Sequence, residues 1–246
     1  MPRLAHPGWL VLWAVSALLA SCFSPQAAPS ILATPAATPT RTPVPSTPTS
    51  TQTPTLTAIP SLTPTSEPPG CLKPPEEYTR LEVNNGQRIN QRTLAMLAHA
   101  QTIYNGEVDL MGSAITQGSY SDAVSASFGT HSGGGAVDLS VMRQGTYTVL
   151  WEDIDPLLHA LRVAGFAAWL REYGELYTDS PIHIHAIAVG DQELSAAAEE
   201  QLTGEAGYFR GFSGLPVAMY GAPAPDRYGG PILCQWMIDL GYKDLR

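Results

Sequence analysis

The sequence predicts an α+β fold, a small and mainly antiparallel sheet flanked by helices, on three observations. Segments with apolar residues at helical spacing alternate with short apolar runs between residues 90 and 205. Gly106, Gly165, Gly190 and Pro181 punctuate the boundaries between them. The last apolar run, Ile-His-Ile-His-Ala-Ile-Ala-Val, alternates as a strand does.

Each element has its own signal. Asn90 caps a helix over 91–105, with Leu94, Leu97, Ala98 and Ile103 on its buried side and Gly106 at its stop. A strand is expected near 108–116, then a small-residue loop and a strand over 136–142. Residues 151–164 carry Ile154, Leu157, Leu158 and Leu161 at helical spacing, Asp153 or Asp155 with Pro156 marks the first turn, and Gly165 ends the helix. A strand over 166–170 follows. Pro181 then leads into the His-x-His strand, and Gly190-Asp191 closes it before a helix over 195–202. Trp151 and Trp169 read as core residues rather than substrate platforms. Beyond Gly204 the chain is rich in Gly, Pro and Tyr. Tyr208, Phe209, Phe212 and Tyr220 there suit packing over the domain, or alternatively the wall of a cleft.

The amino-terminal third reads differently. Trp9 to Ala20 is apolar and follows a leader with Arg3, too short to span a bilayer and suited to a signal-peptide core. It ends in Leu19-Ala20-Ser21-Cys22, which resembles a bacterial lipobox and implies that the signal segment over 1–22 is cut just before Cys22, which carries the lipid as the first residue of the mature protein. A secretory signal cleaved nearby is the alternative, and either way the product is exported. Residues 23–70 are nearly all Pro, Thr, Ser and Ala, with Arg41 and Glu67 the charges. That composition cannot bury a core and forms an extended linker reaching up to about 140 Å from its anchor. A tether of that length suits an enzyme that reaches into a cell wall, and equally a displayed binder.

Residues 71–246 are enough for one domain with a substantial core. Of 13 Lys and Arg and 22 Asp and Glu, Arg3, Arg41 and Glu67 precede residue 71, leaving 11 bases against 21 acids in the domain. So acidic a domain is repelled by nucleic acid and by anionic lipid headgroups, so membrane contact is expected through the lipid alone. No phosphate-binding loop is present, because Gly133 to Gly135 leads toward a strand and lacks the Lys. Setting Cys22 aside, Cys71 and Cys234 lie near the two ends of the domain, and in an exported protein they form a disulfide, unless Cys234 is a buried thiol.

The chemistry gathers in two patches. His131 and Asp138 stand in Thr-His-Ser-Gly-Gly-Gly-Ala-Val-Asp, and His183 and His185 stand in the later strand. Zinc hydrolases take three ligands from His, Asp, Glu and Cys and leave one position for water. Residues two apart on a strand share a face, so His183 and His185 project together, and the three glycines let the backbone turn between His131 and Asp138. The bland alternative is a set of hydrogen-bonded core histidines and an ordinary glycine loop, but two unpaired imidazoles among Ile and Val are costly. His99 and His159 lie in helices and read as structural, and His6 belongs to the leader.

His131, Gly134, Ala136 and Asp138 fit a His-x-x-Gly-x-Ala-x-Asp core, and His185 follows as a third ligand. In this the chain resembles the LAS metallopeptidases, the group of M15-type D-Ala-D-Ala carboxypeptidases, phage and murein endopeptidases and the hedgehog amino-terminal domain. The resemblance spans roughly residues 80–205 and implies zinc held by His131, Asp138 and His185, on an α+β fold of the hedgehog and D-Ala-D-Ala-peptidase type. Gly129 replaces a Ser found in many M15 enzymes, and Ile182 stands where many carry the Glu that serves as general base. In the murein endopeptidase and hedgehog branches a His precedes the last ligand by two, which points to His183 as the proton carrier, with Asp179 as a second candidate. Gln117, in Ile-Thr-Gln-Gly-Ser-Tyr, matches a segment that faces substrate in this group, or caps a turn.

The expected function is therefore that of an exported, lipid-anchored zinc peptidase cutting peptidoglycan stem peptides, as carboxypeptidase or endopeptidase. A non-catalytic zinc-containing surface binding protein of the same fold is the alternative, and a peptidase of secreted proteins is a third reading.

Overall fold

A computed structural model describes residues 67–246, so the leader, Cys22 and the linker through residue 66 lie outside the described residues. The described chain begins with a short antiparallel hairpin, β1 (Arg80–Glu82) and β2 (Arg88–Asn90). Asn90 also caps α1 (Gln91–Tyr104), its Oδ1 accepting the Thr93 N–H at 2.8 Å. The helix stops one residue before the expected glycine, because Asn105 itself takes the left-handed conformation at φ +49°. Its buried side also differs from expectation. Arg92, Thr93, Met96, Leu97 and Ala100 are buried, whereas Leu94, Ala98 and Ile103 are half-buried. The rotation turns the Arg92 guanidinium inward, where it donates to the Val189 carbonyl at 2.8 Å.

The strand expected over 108–116 is reduced to β3 (Ile115–Gln117). Asp109 explains the rest: its carboxylate accepts from Met111 and Ser113 N–H and its carbonyl from Gly112 and Ala114, folding the apolar stretch into turns. β4 (Ala136–Ser140) follows, then a single 3-10 turn, Trp151–Asp153, leading into α2 (Ile154–Val163). Trp151 lies in that turn, off the apolar stripe of α2, and is 64% exposed rather than core. Trp169 is buried as expected, on β5 (Phe166–Arg171). β6 (His183–Ala188) completes the sheet, and α3 (Ala196–Thr203) follows with Ser195 as its N-cap. Two short helices, α4 (Val217–Tyr220) and α5 (Gln235–Asp239), lie in the carboxy-terminal segment.

The main sheet has the order β3-β4-β6-β5, with every neighbouring pair antiparallel, so the α+β class holds. Alternation gives its faces separate duties. Val137, Leu139, Ile184, Ala186, Ala168 and Leu170 point to one side and join α1 and α2 in the larger core. Ala136, Ile187, Ala167 and Trp169 point to the other and pack with Tyr208, Phe209, Trp236 and α3. Tyr208 and Phe209 are thus core rather than cleft. That second face continues into Asp138, Ser140, His183, His185 and Arg171, polar residues that line a cavity rather than the core.

Cys71 and Cys234 are joined by a disulfide with a Cα–Cα distance of 5.6 Å, closing a sequence separation of 163. Among the described residues no helix is long and apolar enough to cross a membrane.

Candidate metal centre

Strand register brings the two patches together. Asp138 pairs with His185 and Ser140 with His183 across β4 and β6, Gln117 pairs with Asp138 from β3, and Trp169 and Arg171 pair with His185 and His183 from β5. Directly opposed residues in antiparallel strands share a face, so the row Gln117, Asp138, His185, Trp169 and the row Ser140, His183, Arg171 lie side by side.

His131 arrives from a separate 3-10 turn, Thr130–Ser132, and the glycines hold that turn in place. A Cβ at Gly133 would lie 2.3 Å from Glu193 O and 2.4 Å from Ser195 N, and one at Gly135, where φ is +76°, would lie 2.8 Å from Leu194 Cδ2. Gly134 N donates to Glu193 O at 2.6 Å. The triplet therefore serves close approach to the 190–195 loop as well as the turn. The same loop is tied down from the other side: Asn90 Nδ2 donates to Asp191 at 2.8 Å, Tyr120 Oη donates to Glu193, and Arg80 stacks 3.9 Å above the Tyr120 ring.

One ligand atom each from His131, Asp138 and His185 lies within 4.8 Å of the others. His131 is fully buried, and its Nδ1–H donates to Gly118 O at 2.8 Å. Its Nε2 lies 3.3 Å from Asp138 Oδ1, out of line for a hydrogen bond, and has no partner. His185 lies between two acceptors, Asp138 Oδ1 at 2.7 Å from Nδ1 and Gln201 Oε1 at 3.0 Å from Nε2. A neutral imidazole has one N–H and satisfies only one of them. Burial pushes the His185 pKa down to about 4 against the pull of Asp138, so the ring is neutral at pH 7. Burial also acts against charge on His131, but the Asp138 carboxylate beside it and the Gly118 carbonyl outweigh it and raise its pKa. Burial would raise Asp138, yet the charge of His131 and the bond to His185 hold its carboxyl well below the usual range.

These features fit a divalent cation. If Nε2–H of His185 goes to Gln201 and Nδ1–H of His131 goes to Gly118, and His131 gives up its inward proton, both inward nitrogens present lone pairs beside a carboxylate, a set that would bind a cation as it displaces that proton. The donor set of two imidazoles and one carboxylate, with outer acceptors fixing each tautomer, suits zinc and leaves room for a fourth ligand. The other group of metal-ligating types among the described residues, Glu67, Cys71 and Cys234, is occupied by the disulfide.

The cluster forms part of the wall of a cavity of about 310 Å³, whose lining also includes Gln117, Ser140, Arg171, Ile182, His183 and Gln201. His183 donates Nδ1–H to Pro181 O at 2.8 Å, leaving the Nε2 lone pair 3.8 Å from Asp138 Oδ2, beside the ligands without being one of the three. Gln117 faces the cavity, and its Nε2 donates to Ser127 Oγ at 3.0 Å. Asp179 stands apart. It is exposed, holds φ +63° in the turn before Ser180, accepts from Tyr173 Oη at 2.7 Å, and is absent from the cavity lining. Sequence reasoning did not single out Gln201 or Arg171. Gln201 carries no pattern on an Ala- and Glu-rich helix, whereas Arg171 shares the alternation of Trp169 and could have been placed on the same face.

Fold and centre together define an α+β domain with a candidate mononuclear metal site in a semi-enclosed cavity. No protein-family profile, characterised protein or solved structure matches this chain.

Proposed function

We propose that the protein is an exported, lipid-anchored zinc peptidase of the LAS type, with the hedgehog and D-Ala-D-Ala-peptidase fold, that hydrolyses peptide bonds in peptidoglycan stem peptides. The observation that carries the reading is that ligand atoms of His131, Asp138 and His185 lie within 4.8 Å of one another at the wall of a cavity, with His131 Nε2 and His185 Nδ1 both beside Asp138 Oδ1 and His131 Nε2 buried without a hydrogen bond. Zinc, if held by His131, Asp138 and His185, would supply an activated water near neutral pH and polarise a carbonyl. The chain supplies the rest. His183, with Nδ1–H committed to Pro181 O, offers Nε2 as the proton acceptor and later the donor to the leaving amine. Gln117 offers its amide to the peptide backbone, and the apolar walls at Val124, Phe128, Met142 and Leu215 exclude water around the bond.

The test is mass spectrometry of muropeptides incubated with the zinc-loaded full chain and two variants whose metal content is assayed. Cleavage by the parent protein, lost together with metal in His185→Ala and lost with metal retained in His183→Ala, is the expected outcome. Bound zinc with no cleavage across muropeptides of varied stem length favours the second reading, a non-catalytic zinc-containing surface binding protein. One observation speaks for that reading: Ile182, buried and apolar, lines the cavity where a general-base carboxylate is expected. Cleavage of casein but not of stem peptides would move the substrate to secreted proteins.

A further inference from the structure

Three arginines of this domain, Arg92, Arg162 and Arg171, are buried and very differently served, and Arg92 as well as Arg171 keeps one guanidinium nitrogen without a partner. Arg162, 3% exposed, forms an ion pair with Asp226 at 2.6 Å and donates to the carbonyls of Ala168, Tyr228 and Gly230. Arg171, 2% exposed, has no carboxylate within ion-pair distance among the described residues. Its Nη1 donates to Ser213 O at 2.9 Å, its guanidinium lies 5.4 Å from the Trp169 ring centre, and its Nη2 is buried without a partner. A buried guanidinium with an unused donor is costly, and Arg162 shows that this fold is able to satisfy one fully.

What distinguishes Arg171 is its place. It lines the cavity, and on the sheet it stands opposite His183 and one row from the metal cluster. Asp138 is the single acidic residue in that lining, and the metal reading commits it to the cation. With a divalent ion, one carboxylate and one guanidinium, the lining itself carries surplus positive charge, partly offset by Glu175 behind Arg171, and a planar donor fork that matches a carboxylate.

We propose that Arg171 is the carboxylate-holding residue of the cavity, so that the peptides it accepts carry a free carboxylate close to the bond at the metal centre. What the carboxylate is attached to rests on the peptidase reading; the anion site itself does not. A carboxy-terminal carboxylate and an acidic side chain share this chemistry, and probes separate them. N-acetyl-D-Ala-D-Ala, its carboxamide, and N-acetylglutamic acid 1-amide, which keeps only the side-chain acid, are titrated by NMR into the full chain, zinc-loaded and metal-stripped, and into Arg171→Lys.

The expected result is that an acid binds the parent protein roughly 10- to 100-fold tighter than the carboxamide, the range of one or two charge-assisted hydrogen bonds. That preference should persist without metal and collapse in Arg171→Lys with zinc content unchanged. Whichever acid is preferred names the source. Acid and carboxamide binding equally to the parent protein overturns the proposal, and this comparison holds even if the variant does not fold. A preference that vanishes with the metal and survives in Arg171→Lys also overturns it and assigns the carboxylate to the cation. Acid preference in a chain that cleaves no muropeptide leaves the anion site standing and removes the peptidase reading instead.

Discussion

At the residue scale, the centre depends as much on the groups behind the ligands as on the ligands. If the proposed zinc site is real, Gln201 is the acceptor that would orient His185 toward the ion, so Gln201→Ala should weaken zinc binding about 10- to 100-fold without removing a ligand, measurable by competition with a chelating dye. Unchanged affinity would show that Asp138 alone orients the ring. The two histidines of the cluster are also expected to titrate apart in the metal-free protein. His185 has its folded pKa pushed down to about 4 from 6.5, so its contribution to stability is complete above pH 6.5 and is lost as pH falls toward 4. His131 is raised, so its contribution has the opposite sign, complete below pH 6.5 and lost as pH rises through its folded value. Two separate imidazole titrations by 15N NMR, one near 4 and one above 6.5, are expected, and a shared midpoint near 6.5 would contradict the geometry. The three residues that gather at the candidate centre were legible in the sequence because each sits in a spaced pattern that a strand or loop makes physical. Gln201 was not, because an outer acceptor on a helix leaves no periodic trace. Nor was the position of Asp179, since a left-handed turn and a bond to Tyr173 decide where its carboxylate goes.

At the element scale, one sheet face is shared between packing and chemistry, and the glycine turn sets where His131 meets it. Gly133→Ala places a methyl against two backbone atoms, Glu193 O at 2.3 Å and Ser195 N at 2.4 Å, neither of which is a flexible side chain. A loss of about 2–3 kcal/mol is expected by chemical denaturation, together with weaker zinc binding as His131 is displaced from Asp138. Full stability with full zinc affinity would show that the 190–195 loop yields freely. The His-x-His strand and its partner over 136–140 were readable because period-2 alternation in an apolar run has one meaning. The stretch before β3 misled for a reason equally local: four N–H groups satisfied by Asp109 outweigh the β propensity of Val108 and Leu110. The face of α1 misled because Arg92, polar in any hydropathy pattern, turns inward to the end of β6.

At the scale of the whole molecule, the disulfide between Cys71 and Cys234 was legible from two cysteines near the domain ends in a chain expected to be exported. Closing so long a loop limits the unfolded ensemble, and a Cys71→Ala, Cys234→Ala double variant should lose about 3–5 kcal/mol, read from urea midpoints under non-reducing conditions. Equal midpoints would mean that the unfolded chain is already compact. The carboxy-terminal segment was less legible, because its order comes from single long-range contacts such as Trp169 Nε1–H on Phe212 O and Ile232 N–H on Tyr208 Oη. The covalent link also has a mechanical consequence. Tension applied between the two ends of the described chain runs from Cys71 to Cys234 through sulfur, and the 163-residue span between them, sheet and His131-Asp138-His185 cluster included, bears no load. A pulled molecule would yield only its short flanking segments, and reduction would release about 550 Å of further contour length, so oxidation state sets whether force can reach the cavity at all.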